Sequence, residues 1–550
     1  MTLVLQAMGQ ALHELRVPVM FGLPGSGNYE LVHAARAAGV SYYGTNHEAG
    51  AVGMGDAWAR VSSQTGLVML SQGPGLTNGL TALTEAVKSG TPLVVIAIDS
   101  PRTSLHGNLN IDQAGVVGAL GAGVDRVRAA RTAVEDLSRS LRRAAIERRP
   151  IVLMVPLDLV HAAVPEGSTS PAAAVLPAAP WPAPASVTAA AGLVTGAERP
   201  VIVAGRGAVR AGARDALIAL AEQTGAVLAV SAPAKGFFAG DPYDLGIAGS
   251  FASPLTAELL SESDLVLAFG AGLNAWTTGN GRMIGSHVPV VQVDVDAAAI
   301  GAHRHVTVAV QADAKAAAVA LRGELEQRGW RQEGWRSEAL AKRLAAHDPA
   351  DEFTPVDGAQ GLDPRMFTLA LNALLPAERT VTVDSGHFMG WPAKYLDSPD
   401  ASGFVYPQSF QCVGLGLAGA IGAGVARPDR LSVLAIGDGG MMLSPQELET
   451  AVRHHIPLLL AVYNDSAYGA EVHRFEPIGL EVDLVRFPDR DFAGMARSVG
   501  AQGVTVRTLE DLEALRPWLA TPQGPMVIDA KIDPTVRGGW VAGNSKAALA

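Results

Sequence analysis

Two acidic turns in the last third of the chain have the residue types and spacing of a metal and phosphate site. The apolar residues 431–436 run into Gly437-Asp438-Gly439-Gly440, and a second apolar stretch, 458–463, ends in Asn464-Asp465, 27 positions after Asp438. A carboxylate at the carboxyl end of a parallel strand, flanked by glycines that let the backbone come close, suits Mg²⁺ bridging to a diphosphate. Mg²⁺ takes one or two carboxylates and completes its shell with phosphate oxygens, so Asp438 and Asp465 make a normal protein share. Taken singly, each half is an ordinary turn.

Such residues need a rigid frame, and the rest of the chain supplies one. Short apolar strands alternate with Ala-rich helical stretches throughout, the pattern of βα units and parallel sheets. Runs such as 93–98 and 458–462 are of strand length and read as buried parallel strands. At 550 residues, 48% of them hydrophobic and 17% charged, the chain is too long for one core and too apolar for disorder. Two stretches rich in Pro and small residues, 165–186 and 345–364, read as linkers. They divide the chain into α/β domains at roughly 1–165, 187–345 and 363–550, each with a mostly parallel sheet flanked by helices.

Composition narrows the function classes. A net charge of −11 without a Lys/Arg cluster argues against nucleic acid as a partner. No apolar run reaches the length of a membrane span. The N-terminus lacks the basic start and apolar run of a secretory signal, so the cytoplasm is the expected compartment. The single cysteine, Cys412, excludes an internal disulfide and a thiolate metal cluster. Residues 200–212 form a strand and glycine turn, but Arg210 stands where the dinucleotide fingerprint needs its third glycine after Gly205 and Gly207. A tight strand-to-helix turn is the expectation there, not NAD binding.

The pair of acidic turns resembles the signature of the thiamine diphosphate enzyme family, Gly-Asp-Gly followed at a later strand end by an asparagine. Asp465-Ser466-Ala467-Tyr468-Gly469 is similar to the family's run of side-chain ligand, spacer, carbonyl ligand, bulky residue and glycine. The resemblance implies Mg²⁺ held by Asp438, Asp465 and the Ala467 carbonyl. The family has asparagine where Asp465 stands, which leaves Asn464 as a ligand in a shifted register. In the first domain, Phe21-Gly-Leu-Pro-Gly-Ser-Gly-Asn28, Asn46-His47-Glu48-Ala49 and Ser71-Gln72-Gly73-Pro74-Gly75-Leu76-Thr77-Asn78 resemble acetolactate synthase and its relatives. By that resemblance Glu48 hydrogen-bonds a ring nitrogen of the aminopyrimidine and drives its amine to the imino form that deprotonates the thiazolium carbon. A carboxyl in an apolar pocket has a raised pKa and can share a proton with a weakly basic nitrogen. Read alone, Glu48 opens a helix and favours its dipole.

Further matches extend the cofactor contacts to Pro74 and Asn78, and to Gln411 and Val413 in the segment under the bent cofactor. There the Gln411 carbonyl would accept from the pyrimidine amine, and Val413 stands where the family has a larger wedge. His387 and Phe388, after the strand ending near Asp384, match a diphosphate-binding region, although a lone histidine there also serves as a local cap. Ser26 resembles the active-site serine of benzoylformate decarboxylase, whereas Ser71 stands where that enzyme has a histidine. Gln113 falls where benzaldehyde lyase has an active-site amide, with Asp112 competing for the position. An amide or serine there would orient an acceptor carbonyl. Gly270-Ala271-Gly272-Leu273-Asn274-Ala275-Trp276 lacks the arginine of flavin-binding relatives, which counts against FAD without closing the central domain to it.

The resemblance implies decarboxylation of a 2-oxo acid and capture of the remaining unit by an aldehyde or ketone. The alternatives are a simple 2-oxo acid decarboxylase and an acyloin lyase. It also implies a homodimer or homotetramer in which Glu48 faces a neighbour's diphosphate domain.

Overall fold

Aliphatic runs bounded by glycine and polar turns fold as strands, and the Ala-rich stretches between them fold as helices that cover both faces. The computed structural model describes residues 2–540 apart from 105, 166–167, 169–170, 172–174, 357 and 359. Parts of both linkers and residues 541–550 of the third segment therefore lie outside the described residues. The described part of the second linker is pinned: Glu352 pairs with Lys394 at 2.6 Å and with His347 at 3.1 Å.

The first sheet contains β1 (Val19–Gly22), β2 (Ser41–Gly44), β3 (Gly66–Leu70), β4 (Leu93–Asp99), β5 (Gly123–Arg126) and β6 (Pro150–Pro156), in the order β2-β1-β3-β4-β6-β5. The second contains β7 (Pro200–Ala204), β8 (Val227–Val230), β9 (Asp244–Ile247), β10 (Leu265–Phe269), β11 (Val290–Asp294) and β12 (Val308–Gln311), in the order β12-β11-β10-β7-β8-β9. The third contains β13 (Arg379–Val383), β14 (Phe404–Val405), β15 (Leu431–Gly437), β16 (Leu458–Asn464), β17 (Gln502–Val506) and β18 (Pro525–Lys531), in the order β14-β13-β15-β16-β18-β17. Every strand pairing is parallel, as in β1 with β3, β7 with β10 and β15 with β16. Buried on both faces, β4 and β16 are apolar along nearly their whole length, as central parallel strands must be.

The first and third sheets share one strand order, each counted from its own first strand. Their equivalent helices, Glu48–Ser62 after β2 and Gly416–Ala426 after β14, pack against each other at glycines. A Cβ on Gly53 would lie 3.1 Å from the Ala418 methyl, and one on Gly422 would strike the Met54 carbonyl. This contact merges the apolar cores of the two domains: Val52 and Met54 pack in one cluster with Leu417, Ile421 and Leu434.

The second sheet has the strand order of dinucleotide-binding domains, with the order reversing between β7 and β10. Gly205 and Gly207 serve a different purpose there. Their backbones rest on Gly270 at the end of β10, where a Cβ on Gly207 would lie 2.6 Å from the Gly270 Cα. No helix among the described residues is long and apolar enough to cross a membrane.

Candidate cofactor-binding site

Parallel sheets place their loops at the carboxyl ends of the strands, and both outer sheets use those ends. In the third domain Ser385–Phe388 follows β13, Gln411 and Val413 follow β14, Asp438 follows β15 and Asp465 follows β16. These loops surround a cavity of about 420 Å³. Of the residues expected from sequence, His387, Phe388, Gln411, Val413, Gly437, Asp438, Gly439, Gly440, Asp465, Ala467, Tyr468 and Gly469 all line it.

Asp438 Oδ1 accepts from the Gly439 N–H at 2.9 Å, while its buried Oδ2 has no hydrogen-bond partner. Arg490 stands off at 4.0 Å. Asp465 Oδ1 accepts from the Ala467 N–H at 3.2 Å. Burial raises the pKa of both carboxyls, and repulsion by Asp438 raises Asp465 further. A divalent cation would relieve that repulsion and engage the orphaned oxygen, so the pair fits Mg²⁺. Mg²⁺ takes one or two carboxylates and completes its shell with phosphate oxygens, so two carboxylates are a sufficient protein share here. Asn464 is turned away: its amide donates to Asp529 at 2.9 Å and its oxygen accepts from the Ser466 N–H at 3.2 Å.

Glycine gives this floor its shape. A Cβ on Gly439 would lie 2.6 Å from the Tyr468 ring, and one on Gly440 would strike the Asp384 carboxylate. Asp384 is buried and accepts from the Gly414 N–H at 2.9 Å and the Gly416 N–H at 3.0 Å, so it folds the turn that carries Val413. Burial pushes its carboxyl up to about 6 against the pull of those N–H groups. Phe388 stacks on Tyr463 with ring centroids 5.2 Å apart. His387 Nε2 accepts from the Gly538 N–H at 2.9 Å, which places its proton on Nδ1. Burial, then the neighbouring His473, lower its pKa to about 3, so it stays neutral.

The first domain assembles a second set of residues at its own strand ends. Glu48, 9% exposed, starts its helix after β2, with Oε2 accepting from the Asn78 amide at 3.0 Å. Pro74 opens the short helix Pro74–Asn78 beside it, and a Cβ on Gly75 would lie 3.6 Å from Glu48 Oε1. Ser26 is exposed on the loop after β1. Gln113, expected to face substrate, is 2% exposed and committed elsewhere. Its oxygen accepts from the Gly73 N–H at 2.9 Å and its amide donates to the Ile98 carbonyl at 3.0 Å, because it ties the Gly73-Pro74 turn to the end of β4. Asp112 caps the helix that Gln113 begins. None of these first-domain residues lines the cavity of the third domain.

Sequence reasoning missed the central domain's part. Phe251, Asn274, Trp276 and Thr277 form a wall of the cavity, and Asn274 caps the short helix Ala275–Thr278 that presents two of them. It also missed Asp384 and Glu447. The latter is buried, accepts from the Thr450 hydroxyl at 2.7 Å and packs against Gly50 in the first turn of the Glu48 helix. A glutamate one position after a glutamine in a helix carries no local signal of such a contact.

The sequence matches the thiamine pyrophosphate enzymes in all three domains: the N-terminal TPP binding domain over residues 3–120, the central domain over 187–321 and the C-terminal TPP binding domain over 384–530. The chain belongs to that family. Thiamine diphosphate is accordingly its cofactor, and it is an acetolactate synthase-like enzyme that forms or cleaves carbon–carbon bonds. It is 28% identical over 527 residues to a probable acetolactate synthase of Mycobacterium bovis, covering 94% of each chain. It is 30% identical over 525 residues to a sulfoacetaldehyde acetyltransferase of Castellaniella defragrans, covering 90% of this chain and 87% of that one. It is also 30% identical over 520 residues to a probable 2-ketoarginine decarboxylase of Pseudomonas aeruginosa, covering 93% and 90%.

Proposed function

We propose that this enzyme is a thiamine diphosphate- and Mg²⁺-dependent carboligase. It removes CO₂ from a 2-oxo acid and joins the remaining acyl unit to an aldehyde or ketone, giving a 2-hydroxy ketone or a 2-hydroxy-2-alkyl-3-oxo acid. When bound, thiamine diphosphate would supply a nucleophilic ring carbon and an electron sink for the loss of CO₂. Asp438, Asp465 and the Ala467 carbonyl would hold the metal, and His387, with its proton on Nδ1, would offer that donor to the diphosphate. The Gln411 carbonyl would accept from the pyrimidine amine, and Val413 would support the cofactor from the same segment. Glu48 holds a proton against the pyrimidine nitrogen. The second and third domains line this cavity, and in this reading Glu48 comes to it from a neighbouring copy. Ser26 orients the acceptor carbonyl, and Gln113 acts at one remove by holding the Gly73-Pro74 turn.

The aromatic wall of Phe251, Trp276 and Tyr406 carries the choice of carboligation. Apolar rings on one wall reduce the water beside the reacting carbon and favour a second carbonyl as its partner. The names of the acetolactate synthase and the acetyltransferase point the same way. A simple decarboxylase is the second reading, favoured by Glu471, an exposed acidic side chain that opens the cavity lining to solvent, the source of the proton such a reaction needs. A screen of 2-oxo acids for CO₂ release, with product masses recorded with and without added aldehydes and ketones, separates the two. Carboligation gives masses that combine donor and acceptor; decarboxylation gives the same aldehyde whatever is added. Failure of every 2-oxo acid to lose CO₂ with thiamine diphosphate and Mg²⁺ present would falsify the proposal.

A further inference from the structure

Glu85 belongs to none of the motifs above. It sits on the helix Leu80–Lys88 of the first domain and is 1% exposed. Its carboxylate accepts four hydrogen bonds. Oε1 takes the Arg60 guanidinium at 2.8 Å, the Ser89 hydroxyl at 2.8 Å and the Ser409 N–H at 3.1 Å, and Oε2 takes the Phe410 N–H at 2.6 Å. Arg60 also pairs with Asp56 at 2.5 Å and donates to the Tyr406 carbonyl at 3.2 Å. The Ser89 carbonyl in turn accepts from Arg206 of the central domain at 2.7 Å, so all three domains meet at this knot.

What the knot grips is the wall of the cavity. Tyr406, Gln408, Ser409, Gln411 and Val413 all line it. Gln411 has φ +58°, a left-handed conformation that non-glycine residues adopt rarely and that persists only where the surroundings over-determine it. The surroundings here are two buried carboxylates. Glu85 holds the N–H of Phe410 just before Gln411, and Asp384 holds the N–H of Gly414 just after Val413.

We infer that Glu85 is a positioning residue of the active site: from the first domain it fixes the wall at 406–411, and with it the backbone of Gln411. The inference rests on the reading of this cavity as the cofactor site. Both carboxylate oxygens act as acceptors, and hydrogen bonds to a charged acceptor are about twice as strong as neutral ones. A glutamine offers a single acceptor oxygen and turns an NH₂ group toward one of the donors, so Glu85→Gln breaks one side of the knot while keeping its volume.

The test compares wild type, Glu85→Gln and the gentler Ser89→Ala, which removes one hydroxyl from the knot and leaves its charges. Amide hydrogen exchange in the cofactor-free protein should quicken by about 10-fold or more at Ser409 and Phe410 in Glu85→Gln, and less in Ser89→Ala, with β15 and β16 unchanged. In the loaded enzyme kcat should fall by roughly 10- to 100-fold in Glu85→Gln, the scale of an ångström's misplacement, while KM for the 2-oxo acid holds. Unchanged exchange at Ser409 and Phe410, or a rise spread evenly over β15 and β16, overturns the inference. If Glu85→Gln does not fold, the same exchange pattern in Ser89→Ala decides it. Localised exchange in a protein that turns over no 2-oxo acid supports the anchor and overturns the reading of the site instead.

Discussion

Asp438 and Asp465 reach one cavity from two adjacent strands, and each is held by a backbone N–H close to its own position. Asp438→Ala removes the carboxylate whose Oδ2 is a buried oxygen without a partner. Cofactor affinity measured by calorimetry with Mg²⁺ present should fall by more than the roughly 10- to 100-fold typical of a residue that merely supports a metal ligand. Undiminished affinity would remove Asp438 from the metal site. Glu48→Gln keeps the shape of Glu48 and one hydrogen bond but cannot share a proton as a carboxyl can. Cofactor binding should persist while turnover drops about 10²- to 10⁴-fold, together with exchange of the ring-carbon proton followed by deuterium labelling. Wild-type exchange would reduce Glu48 to a helix-start residue. Asp438, Asp465 and the loop at Glu48 were legible in the sequence because each lies in a short run whose glycines and strand ends mark it. Gln113 was legible as a candidate, but its hold on the Gly73 N–H and the Ile98 carbonyl was not, since these belong to distant turns.

Among elements, the helix pair Glu48–Ser62 and Gly416–Ala426 shows what a sequence pattern leaves out. Alternation of strands and helices announced the parallel sheets, and apolar runs placed β4 and β16. The glycines of 416–426 gave no sign of their partner, because Met54 is 368 positions before Gly422. Gly422→Ala puts a methyl against the Met54 carbonyl, and overpacking of about 1–3 kcal/mol should exceed the gain in helix propensity of about 1 kcal/mol. A lower melting temperature is expected. Gly192 and Gly323 lie within the helices Pro184–Val194 and Ala314–Gln327, where an added Cβ meets nothing within 4 Å. Alanine at either should stabilise by up to about 1 kcal/mol through propensity and unfolded-state entropy. Thermal scans of the three variants side by side check the contrast; equal shifts would mean that the helix contact at Gly422 is looser than described.

At the scale of the molecule, the proposed function draws on two domains of one topology, and the cavity that Asp438 lines is built from the second and third domains without Glu48. Large apolar side chains stand exposed around both: Tyr29, Leu109 and Ile111 by the Glu48 half, Phe410, Met442 and Leu443 by the Asp438 half. Exposed apolar surface beside both sets of residues is what an interface between copies would cover. An isologous dimer would bring each Glu48 half to the partner's Asp438 half and complete two equivalent sites. Mixed assembly tests this directly, since Glu48→Gln spoils only the first half and Asp438→Ala only the second. Each alone should be nearly inactive. Coexpressed in equal amounts, random pairing puts both defects into one site of every mixed dimer and leaves the other intact, so activity should recover to about a quarter of wild type. Were Glu48 and Asp438 to serve one site within a single chain, every site would carry one defect, and no mixing ratio would restore turnover.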